Sequence, residues 1–347
     1  MPAPSSTPTD AVRADGVSRS FAGGIRALDG VRFALSAGTL TALIGGNGSG
    51  KSTLLKLIHG ALVADSGELR VMGLDPRRDR AALRPLTGYA GQDVALDPEM
   101  TGWETLRLFH ALRGLPRSER DGCLGRVVDE AGLEPFVQRR VGTWSGGERQ
   151  RLHLGLEMMH GPRLLLLDEP TTSLDPRGRA ELWRRLAAWR DEGNTVIVAT
   201  HDLADAGAHC DRVLLLHSGR LVADGSPAEL VAAHARARVA VTFERPASEA
   251  DVAGLRESIA ALPEVADASV DASGVTLWRA NHSPIEPLLH LLEARGIAFR
   301  GLVRDEPDLA AAYFRLTGSA PGSPPRPGRG GGRGGGGGGG RGGGRRG

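Results

Sequence analysis

The sequence has few cysteines, few aromatic residues and no long apolar run, and each shortage excludes a class of protein. Its two cysteines, Cys123 and Cys210, stand far apart, which excludes a disulfide framework and a cysteine-based zinc site. We therefore expect the reducing environment of the cytosol. No stretch approaches the roughly 18 consecutive apolar residues that cross a bilayer. The opening residues, MPAPSSTPTD, lack the basic and then apolar pattern of a secretory signal.

Lysine is almost absent, and arginine supplies nearly all of the positive charge. Only Lys51 and Lys56 are lysines, so a lysine that persists against this bias is a candidate for a chemical role. The formal net charge is +2, but residues 319–347 hold six arginines and no acid, which leaves the rest of the chain mildly acidic. The basic overall character therefore says little about the partners of the folded part.

Apolar residues make up 40% of the chain and charged residues 24%, which is typical of a protein with a packed core. At about 150 residues per domain, the length favours two domains. From residue 13 to residue 230, short apolar runs alternate with helical patterns, which predicts an α/β domain with a parallel sheet. Its clearest buried strands are predicted at 41–44, 164–167, 195–200 and 212–216.

Residues 237–318 follow another pattern, in which strand and helix segments occur in the order βαββαβ. This is the split arrangement of a ferredoxin-like fold, so we expect a small α+β accessory domain that ends with a further helix at 307–317. Residues 1–12 and 319–347 are rich in Pro, Ser, Gly or Arg and are predicted to be disordered. The accessory domain is predicted to have strands at 239–244, 265–270, 274–280 and 297–304 and helices at 248–262 and 283–296.

A phosphate-binding loop is the most specific motif. The segment fits the pattern G-x-x-x-x-G-K-[ST] and lies between a predicted strand, TALI, and a predicted helix, KSTLLKLI. Glycines let backbone N–H groups approach phosphates, and the N-terminus of the following helix adds positive potential. Lys51 would reach the β- and γ-phosphates of a nucleotide, and the hydroxyl of Ser52 would bind Mg²⁺. The predicted ATP-binding residues are Gly45, Gly46, Asn47, Gly48, Ser49, Gly50, Lys51, Ser52 and Thr53.

Two carboxylates end the apolar strand LLLLDE. A Mg²⁺ ion beside a triphosphate needs a carboxylate at the C-terminal end of a strand, and Asp168 has this position. Glu169 would then be free to polarise an attacking water molecule. Acids at a strand end commonly form only a solvated turn, but the phosphate-binding loop in the same chain favours the catalytic interpretation.

The segment WSGGERQ (144–150) precedes a helical pattern and has two interpretations. Ser145 and Glu148 have the spacing of a capping box, so the segment on its own is favoured as a helix N-terminus. This structural interpretation does not explain why two glycines, Gly146 and Gly147, stand in the motif.

Five motifs together resemble the ATP-binding subunits of ABC transporters. GGNGSGKST, WSGGERQRL, LLLLDEP, SLD and TH occur in the order and spacing of that family over about residues 13–230. The resemblance implies a P-loop NTPase fold with a helical subdomain. It also implies that Ser145, Gly146, Gly147 and Glu148 form a signature loop, which binds the γ-phosphate held by the other subunit.

The resemblance also gives roles to single residues that form no motif of their own. Gln92 corresponds to the Q-loop glutamine near Mg²⁺ and the membrane-subunit contact, and Asp175 corresponds to the D-loop aspartate at the dimer interface. His201 is similar to the switch histidine that contacts the γ-phosphate, and Phe21 to the aromatic residue, usually tyrosine, that stacks on adenine. Taken alone, each of these side chains would be interpreted as structural or solvent-facing.

Two residues depart from the family pattern. The first position of the signature is usually leucine and is Trp144 here, and the last is often glutamine and is Glu148 here. We expect Trp144 to alter the packing beneath the loop more than the contact with phosphate. Trp144 therefore puts the rate of turnover in doubt, but much less the ability to hydrolyse ATP.

In function, the resemblance implies an ATPase that dimerises around two ATP molecules, either with a second copy or with a paralogous ATPase. Hydrolysis would drive separate membrane-spanning permease subunits, with the chain bound peripherally to the inner face of the membrane. The segment EPDLAAAYFRLTG (306–318) resembles the end of type-2 exporter ATPases, which favours export over import.

A soluble ABC ATPase that acts on nucleic acid or ribosomes is the alternative from a different class. The tail GRGGGRGGGGGGGRGGGRRG (328–347) could hold phosphate backbones electrostatically. It has no aromatic residue for base stacking, and the sequence shows neither a second ATPase core nor long heptad arms. Nucleic acid is therefore not an expected partner, and contact of the tail with anionic lipid headgroups is a third interpretation.

Overall fold

The computed structural model describes residues 10–91, 96–235, 237–262, 265–279, 285–305 and 307–318. Its strands are β1 (Asp10–Phe21), β2 (Ile25–Ser36), β3 (Leu40–Ile44), β4 (Ser66–Val71), β5 (Thr87–Ala90), β6 (Leu164–Asp168), β7 (Thr195–Thr200), β8 (Arg212–His217), β9 (Arg220–Gly225), β10 (Ala237–Phe243), β11 (Val265–Asp271), β12 (Gly274–Arg279) and β13 (Phe299–Asp305). Its helices are α1 (Lys51–Ile58), α2 (Arg80–Leu83), α3 (Gly102–Leu112), α4 (Arg120–Ala131), α5 (Gly146–Met158), α6 (Pro176–Asp191), α7 (Leu203–His209), α8 (Pro227–His234), α9 (Glu249–Ala260), α10 (Glu286–Ala294) and α11 (Leu309–Thr317). The predicted disordered tail, 319–347, lies outside the described residues.

A six-stranded sheet in the order β5-β6-β7-β3-β8-β9 forms the centre of the fold. Its strands run parallel except for β9, which is antiparallel to β8. Every residue of β3, β6 and β7 is buried, which explains their continuous apolar sequences. The four strands predicted from the sequence are β3, β6, β7 and β8. Because parallel strands end at one edge, the loops after β3, β6 and β7 lie together there.

A three-stranded antiparallel sheet, β2-β1-β4, contributes to the core on one side of the central sheet. The strand β1 corrects the prediction that residues 1–12 are disordered, because residues 10–12 belong to this strand. Ala11 and Val12 are buried, and Val12 pairs with both Leu35 and Val71. Burial of these two small apolar side chains stabilises the strand. The prediction missed this because residues 1–9 are rich in Pro and Ser and determined the composition of the window.

The helices α3, α4 and α5 form a separate apolar cluster that contains Trp144. Leu106 of α3, Leu124 of α4 and Leu152 of α5 are buried in it. This is the helical part that the family resemblance predicts. It lies in the chain between β5 and β6, so it is inserted between two neighbouring strands of the central sheet.

The segment 237–305 forms a four-stranded antiparallel sheet in the order β11-β12-β10-β13. The elements β10, α9, β11, β12, α10 and β13 occur in the predicted order, each within a few residues of its predicted bounds. Side chains of α9 and α10 pack with those of β10 and β12 in one apolar cluster. Assignment of this unit to the ferredoxin-like fold, and the limits of both domains, stay predictions.

The helix α11 is the one that the sequence analysis included in the accessory domain, after its last strand. It packs against α7 and α8, and Leu309 and Tyr313 are buried in the same cluster as residues of β3, β6 and β7. Leu309 and Tyr313 are thus buried by the central α/β unit, whereas Phe314 of the same helix is exposed. Within the described residues, no helix combines the length and apolar character that crossing a membrane requires.

Candidate functional site

The predicted phosphate-binding loop connects β3 to α1. Gly50, the residue before the helix, has a φ of 107°, and a Cβ atom there would lie 2.4 Å from the carbonyl oxygen of Ala27. Only glycine fits both the left-handed conformation and this close approach. Lys51, the first residue of α1, is buried, and its Nζ donates to the carbonyl oxygens of Gly45 at 2.7 Å and Gly46 at 3.4 Å. The loop therefore holds the lysine ammonium against its own backbone.

Asp168 is the last residue of β6 and is buried. Its Oδ1 has no hydrogen-bond partner among the described residues. Tyr89 of β5, which the sequence analysis did not single out, lies close enough to Asp168 to feel its charge. Burial, together with the charge of Asp168, raises the pKa of Tyr89.

Glu169 follows Asp168 and has a left-handed backbone, with a φ of 54°. Such a conformation is uncommon for a residue with a side chain and is concentrated at functional sites. Its N–H donates to the carbonyl of Ala199 in the neighbouring strand, at 2.8 Å. One carboxylate oxygen, Oε2, lies 2.8 Å from Nδ1 of His201, and the other, Oε1, lies 3.5 Å from Nζ of Lys51. Lys51, Glu169 and His201, which follow three different strands of the sheet, thus meet at one edge of it.

A cleft of about 750 Å³ contains these groups. Of the predicted residues, it is lined by Gly46, Asn47, Gly48, Ser49, Gly50, Lys51, Ser52, Thr53, Asp168, Glu169 and His201. It is also lined by Ile25, Arg26, Ala27, Gln150, Thr172 and Ser173, which the sequence analysis missed. Gln150 and Ser173 belong to the segments WSGGERQ and SLD, in which the resemblance gave roles to other residues, and the remaining four lie in no motif. All six reach the cleft from β2, from α5 and from the loop after β6 only in the folded chain.

Phe21 lies beside this cleft, outside the residues that line it. It ends β1 and pairs with Ile25 across the turn to β2, and the next two residues of β2, Arg26 and Ala27, line the cleft with Ile25. Its ring is partly exposed, and the guanidinium carbon of Arg19 lies 5.2 Å from the ring centroid. Stacking of Phe21 on adenine stays a prediction.

The signature segment forms a helix N-terminus. Ser145 caps α5, with its Oγ accepting from the N–H of Glu148 at 3.2 Å, while a carboxylate oxygen of Glu148 accepts from the N–H of Ser145 at 2.7 Å. The capping box expected from the spacing is therefore present. Within the described part of the chain, none of the residues 145–148 lines the cleft.

The two signature glycines lie against the loop after β6. A Cβ atom at Gly146 would lie 3.1 Å from Cβ of Ser173, and one at Gly147 would lie 3.0 Å from Cδ2 of Leu174. The close approach leaves little room for a side chain at either position, a constraint that capping alone does not impose. The next residue of that loop, Asp175, caps α6, and its side chain accepts from the N–H of Gly178 at 2.8 Å.

The candidate Mg²⁺ site depends on ligands from the nucleotide in addition to protein side chains. No group of three or more His, Cys, Asp and Glu side chains suited to a metal occurs in the part of the chain that the structure describes. The buried, unpartnered oxygen of Asp168 and the hydroxyl of Ser52 in the same cleft fit a Mg²⁺ ion that is also bound by phosphates. Gln92, the third predicted ligand, lies outside the described residues.

Comparison with known proteins points to one family. Residues 28–172 match the sequence model of the family described as ABC transporter. The chain is 32% identical over 311 residues to the daunorubicin resistance ATP-binding protein DrrA3 of Streptomyces coeruleorubidus, covering 89% of this chain and 96% of that protein. It is 34% identical over 304 residues to the Nod factor export ATP-binding protein I of Rhizobium sp. (strain N33), covering 87% and 95%.

A solved structure supports the same likeness in three dimensions. This is cbiO1 from Clostridium perfringens, described as part of the ABC transporter complex cbiONQ. The TM-score is 0.59 at 27% sequence identity, and the likeness covers 73% of this chain and 96% of that one.

Proposed function

The chain belongs to the ATP-binding subunits of ABC transporters and is an ATPase of that family, and from this premise we propose that it powers export through separate permease subunits. The observation that carries the ATPase part of the proposal is the meeting of Lys51, Asp168, Glu169 and His201 with the phosphate loop in one cleft. These side chains come from three separate segments of the sequence, so their convergence is a property of the fold.

ATP binds with its phosphates on the loop 45–53. The N–H groups of the loop and the N-terminus of α1 face the phosphates, and Lys51 moves its ammonium from the carbonyl of Gly45 to the β- and γ-phosphates. Ser52 and Asp168, with Gln92 as the predicted third ligand, would hold Mg²⁺. When bound, this ion neutralises charge that develops on the phosphate oxygens.

Glu169 acts as the group that polarises the attacking water. Its carboxylate is fixed between the imidazole of His201 and the ammonium of Lys51, so both oxygens have a defined direction. The strained backbone at Glu169 turns the side chain from the interior of the sheet into the cleft. His201, half exposed at the rim, is placed to contact the γ-phosphate and to orient Glu169.

Two chains are needed for a complete site. The residues 145–148 lie outside the cleft of their own chain, although the N-terminus of α5 is suited to bind an anion. In a head-to-tail dimer, the signature of one chain would close over the ATP held by the other. The second chain is either another copy or a paralogous ATPase, and Asp175 would lie at this interface.

The export direction is supported by the relatives. One is named for Nod factor export and another for daunorubicin resistance, and the alignments cover 95% and 96% of their lengths. The likeness therefore includes the accessory segment and is not limited to the ATPase motifs. We place the chain peripherally on the inner face of the membrane, where it would contact a multispanning permease.

The two lysines of α1 provide a matched test of the ATP site. Lys51→Ala is expected to abolish ATP binding, because the charge that faces the phosphates is lost. Lys56→Ala is the control, since Lys56 lies on the exposed side of the same helix. Isothermal titration with ATP and Mg²⁺ measures both. Equal affinity of the two variants would contradict the assignment of the site.

The transporter role is tested by what the trapped protein binds. Tagged Glu169→Gln protein is recovered with ATP and nuclease from detergent-solubilised membranes, and the co-purifying proteins are identified. A multispanning protein in near-equal amount is the expected result. Recovery with ribosomes or nucleic acid, lost on deletion of residues 321–347, would instead support the soluble alternative.

A further inference from the structure

The C-terminal helix α11 reaches the phosphate-binding loop. Leu309 and Tyr313 face the central core, and the helix packs on α7 and α8. The hydroxyl of Tyr313 accepts a hydrogen bond from the N–H of Gly46, at 3.1 Å, although the two residues are 267 positions apart. Tyr313 is only 3% exposed, so the packing of α11 fixes the position of this hydroxyl.

This hydrogen bond acts on the peptide group that also holds the catalytic lysine. The N–H of Gly46 and the C=O of Gly45 belong to one planar peptide unit, in which they point in opposite directions. Tyr313 bonds the N–H on one side, and Lys51 donates to the C=O on the other side at 2.7 Å. The orientation of the peptide therefore links the tyrosine to the lysine ammonium.

The same peptide has little intrinsic restraint, because glycine stands on both sides of it. Gly45 and Gly46 can rotate about their backbone bonds more freely than other residues, so an outside contact is needed to select one orientation. The carbonyl of Gly46 accepts from the N–H of Ser49 at 3.1 Å, which fixes the next peptide from within the loop. The bond from α11 supplies the corresponding restraint at the start of the loop.

We propose that Tyr313 is a positioning residue for ATP binding, with its hydroxyl fixing the Gly45–Gly46 peptide so that the phosphate loop is already ordered before Lys51 moves to the phosphates. This inference rests on the proposed assignment of residues 45–53 to ATP. Without the hydroxyl, part of the ordering of the loop would occur on binding and would weaken affinity. Among the described residues, Tyr313 makes no hydrogen bond with Glu169 or His201, so the rate of the chemical step is not expected to depend on it.

Tyr313→Phe tests the proposal, because it removes the hydroxyl and keeps the buried ring. Since one hydrogen bond contributes about 1 kcal/mol, we expect about a five-fold rise in the Kd and KM for ATP, with kcat within two-fold of the wild type. Arg315→Ala is the control, because Arg315 is an exposed residue of the same helix and should leave both constants unchanged. Affinity is measured by isothermal titration and KM by steady-state hydrolysis.

A second measurement separates positioning from a merely structural role. By linkage, ATP should protect the backbone amides of α11 from hydrogen exchange in the wild type, and this protection should be lost in Tyr313→Phe. If the variant binds ATP within two-fold of the wild type while Lys51→Ala does not bind, the role of Tyr313 is wrong and the ATP site stands. If Lys51→Ala also binds normally, the assignment of the site itself fails.

Discussion

Replacing Trp144 by leucine, the usual residue at this position of the family, would remove a buried ring from beneath the signature loop. Trp144 is 3% exposed, and its ring meets that of Phe136 edge-on, with centroids 4.8 Å apart and planes at 80°. Its Nε1 donates to the carbonyl oxygen of Arg139 at 3.2 Å. The side chain thus supports the turn that leads into α5 through both packing and a hydrogen bond.

The structure gives the expected size of the effect. The aromatic pair contributes about 0.5–1.5 kcal/mol and the hydrogen bond about 1 kcal/mol, and leucine leaves part of the volume unfilled. We expect Trp144→Leu to lower the free energy of unfolding by about 2–4 kcal/mol, measured by urea denaturation followed by circular dichroism. Because the substitution leaves the donors of Ser145, Gly146 and Gly147 in place, kcat of the folded protein should change by less than about three-fold.

A double-mutant cycle makes this prediction sharper. A Cβ atom at Gly102, at the start of α3, would lie 2.5 Å from Cη2 and 2.6 Å from Cζ2 of Trp144. Gly102→Ala should therefore destabilise the wild type, even though alanine favours helix by about 1 kcal/mol. In the Trp144→Leu background the clashing ring is gone and the same substitution should cost at least about 1 kcal/mol less. Simple additivity of the two substitutions would refute this account of the packing.

Two further predictions concern catalysis and pH. Glu169→Gln should bind ATP but hydrolyse it at least about 100-fold more slowly, because an amide cannot polarise the water; a wild-type rate of phosphate release would show that Glu169 has another role. Burial lowers the pKa of His59, His153 and His160 from 6.5 to about 4, so the unfolded chain binds more protons than the folded chain between these values. Stability should therefore fall as the pH drops through this window, by about 1–2 kcal/mol per histidine at pH 5. Urea denaturation midpoints at pH 7.5, 6 and 5 measure this effect. His160→Asn should reduce the dependence of the midpoint on pH. Identical midpoints at the three pH values would contradict the burial argument.

Much of the site could be predicted because its chemistry lies in short segments at the ends of buried strands. The phosphate loop after β3 and the pair Asp168 and Glu169 after β6 are local patterns. Parallel strands bring such segments to one edge of a sheet whatever their separation in the chain. The contact of His201 with Glu169 follows from the same rule, since β7 neighbours β6, but only the family resemblance singled out that histidine.

The contacts that the sequence did not predict are side-chain contacts between distant segments. The hydroxyl of Tyr313 accepts from the N–H of Gly46, and Tyr89 lies near Asp168, yet the sequence analysis assigned neither tyrosine a role, although Tyr313 stands in the segment 306–318. Helical periodicity indicates which face of α11 is apolar but not which unit that face packs against. The placement of α11 on the central core, and with it the tyrosine beside the phosphate loop, therefore required the fold itself.

The two interpretations of Ser145 prove compatible once the geometry of the helix N-terminus is considered. Its Oγ accepts one hydrogen bond from Glu148, but a serine hydroxyl also carries a proton of its own to donate. The capping bond satisfies the N–H of Glu148 only, while the N–H groups of Gly146 and Gly147, in the first turn of α5, have no partner within the helix. The hydroxyl and these two amides form a set of donors that is suited to a phosphate of a second chain. Capping therefore fixes the donors in place, and the structural role of Ser145 is a precondition of its proposed role in binding ATP across the dimer.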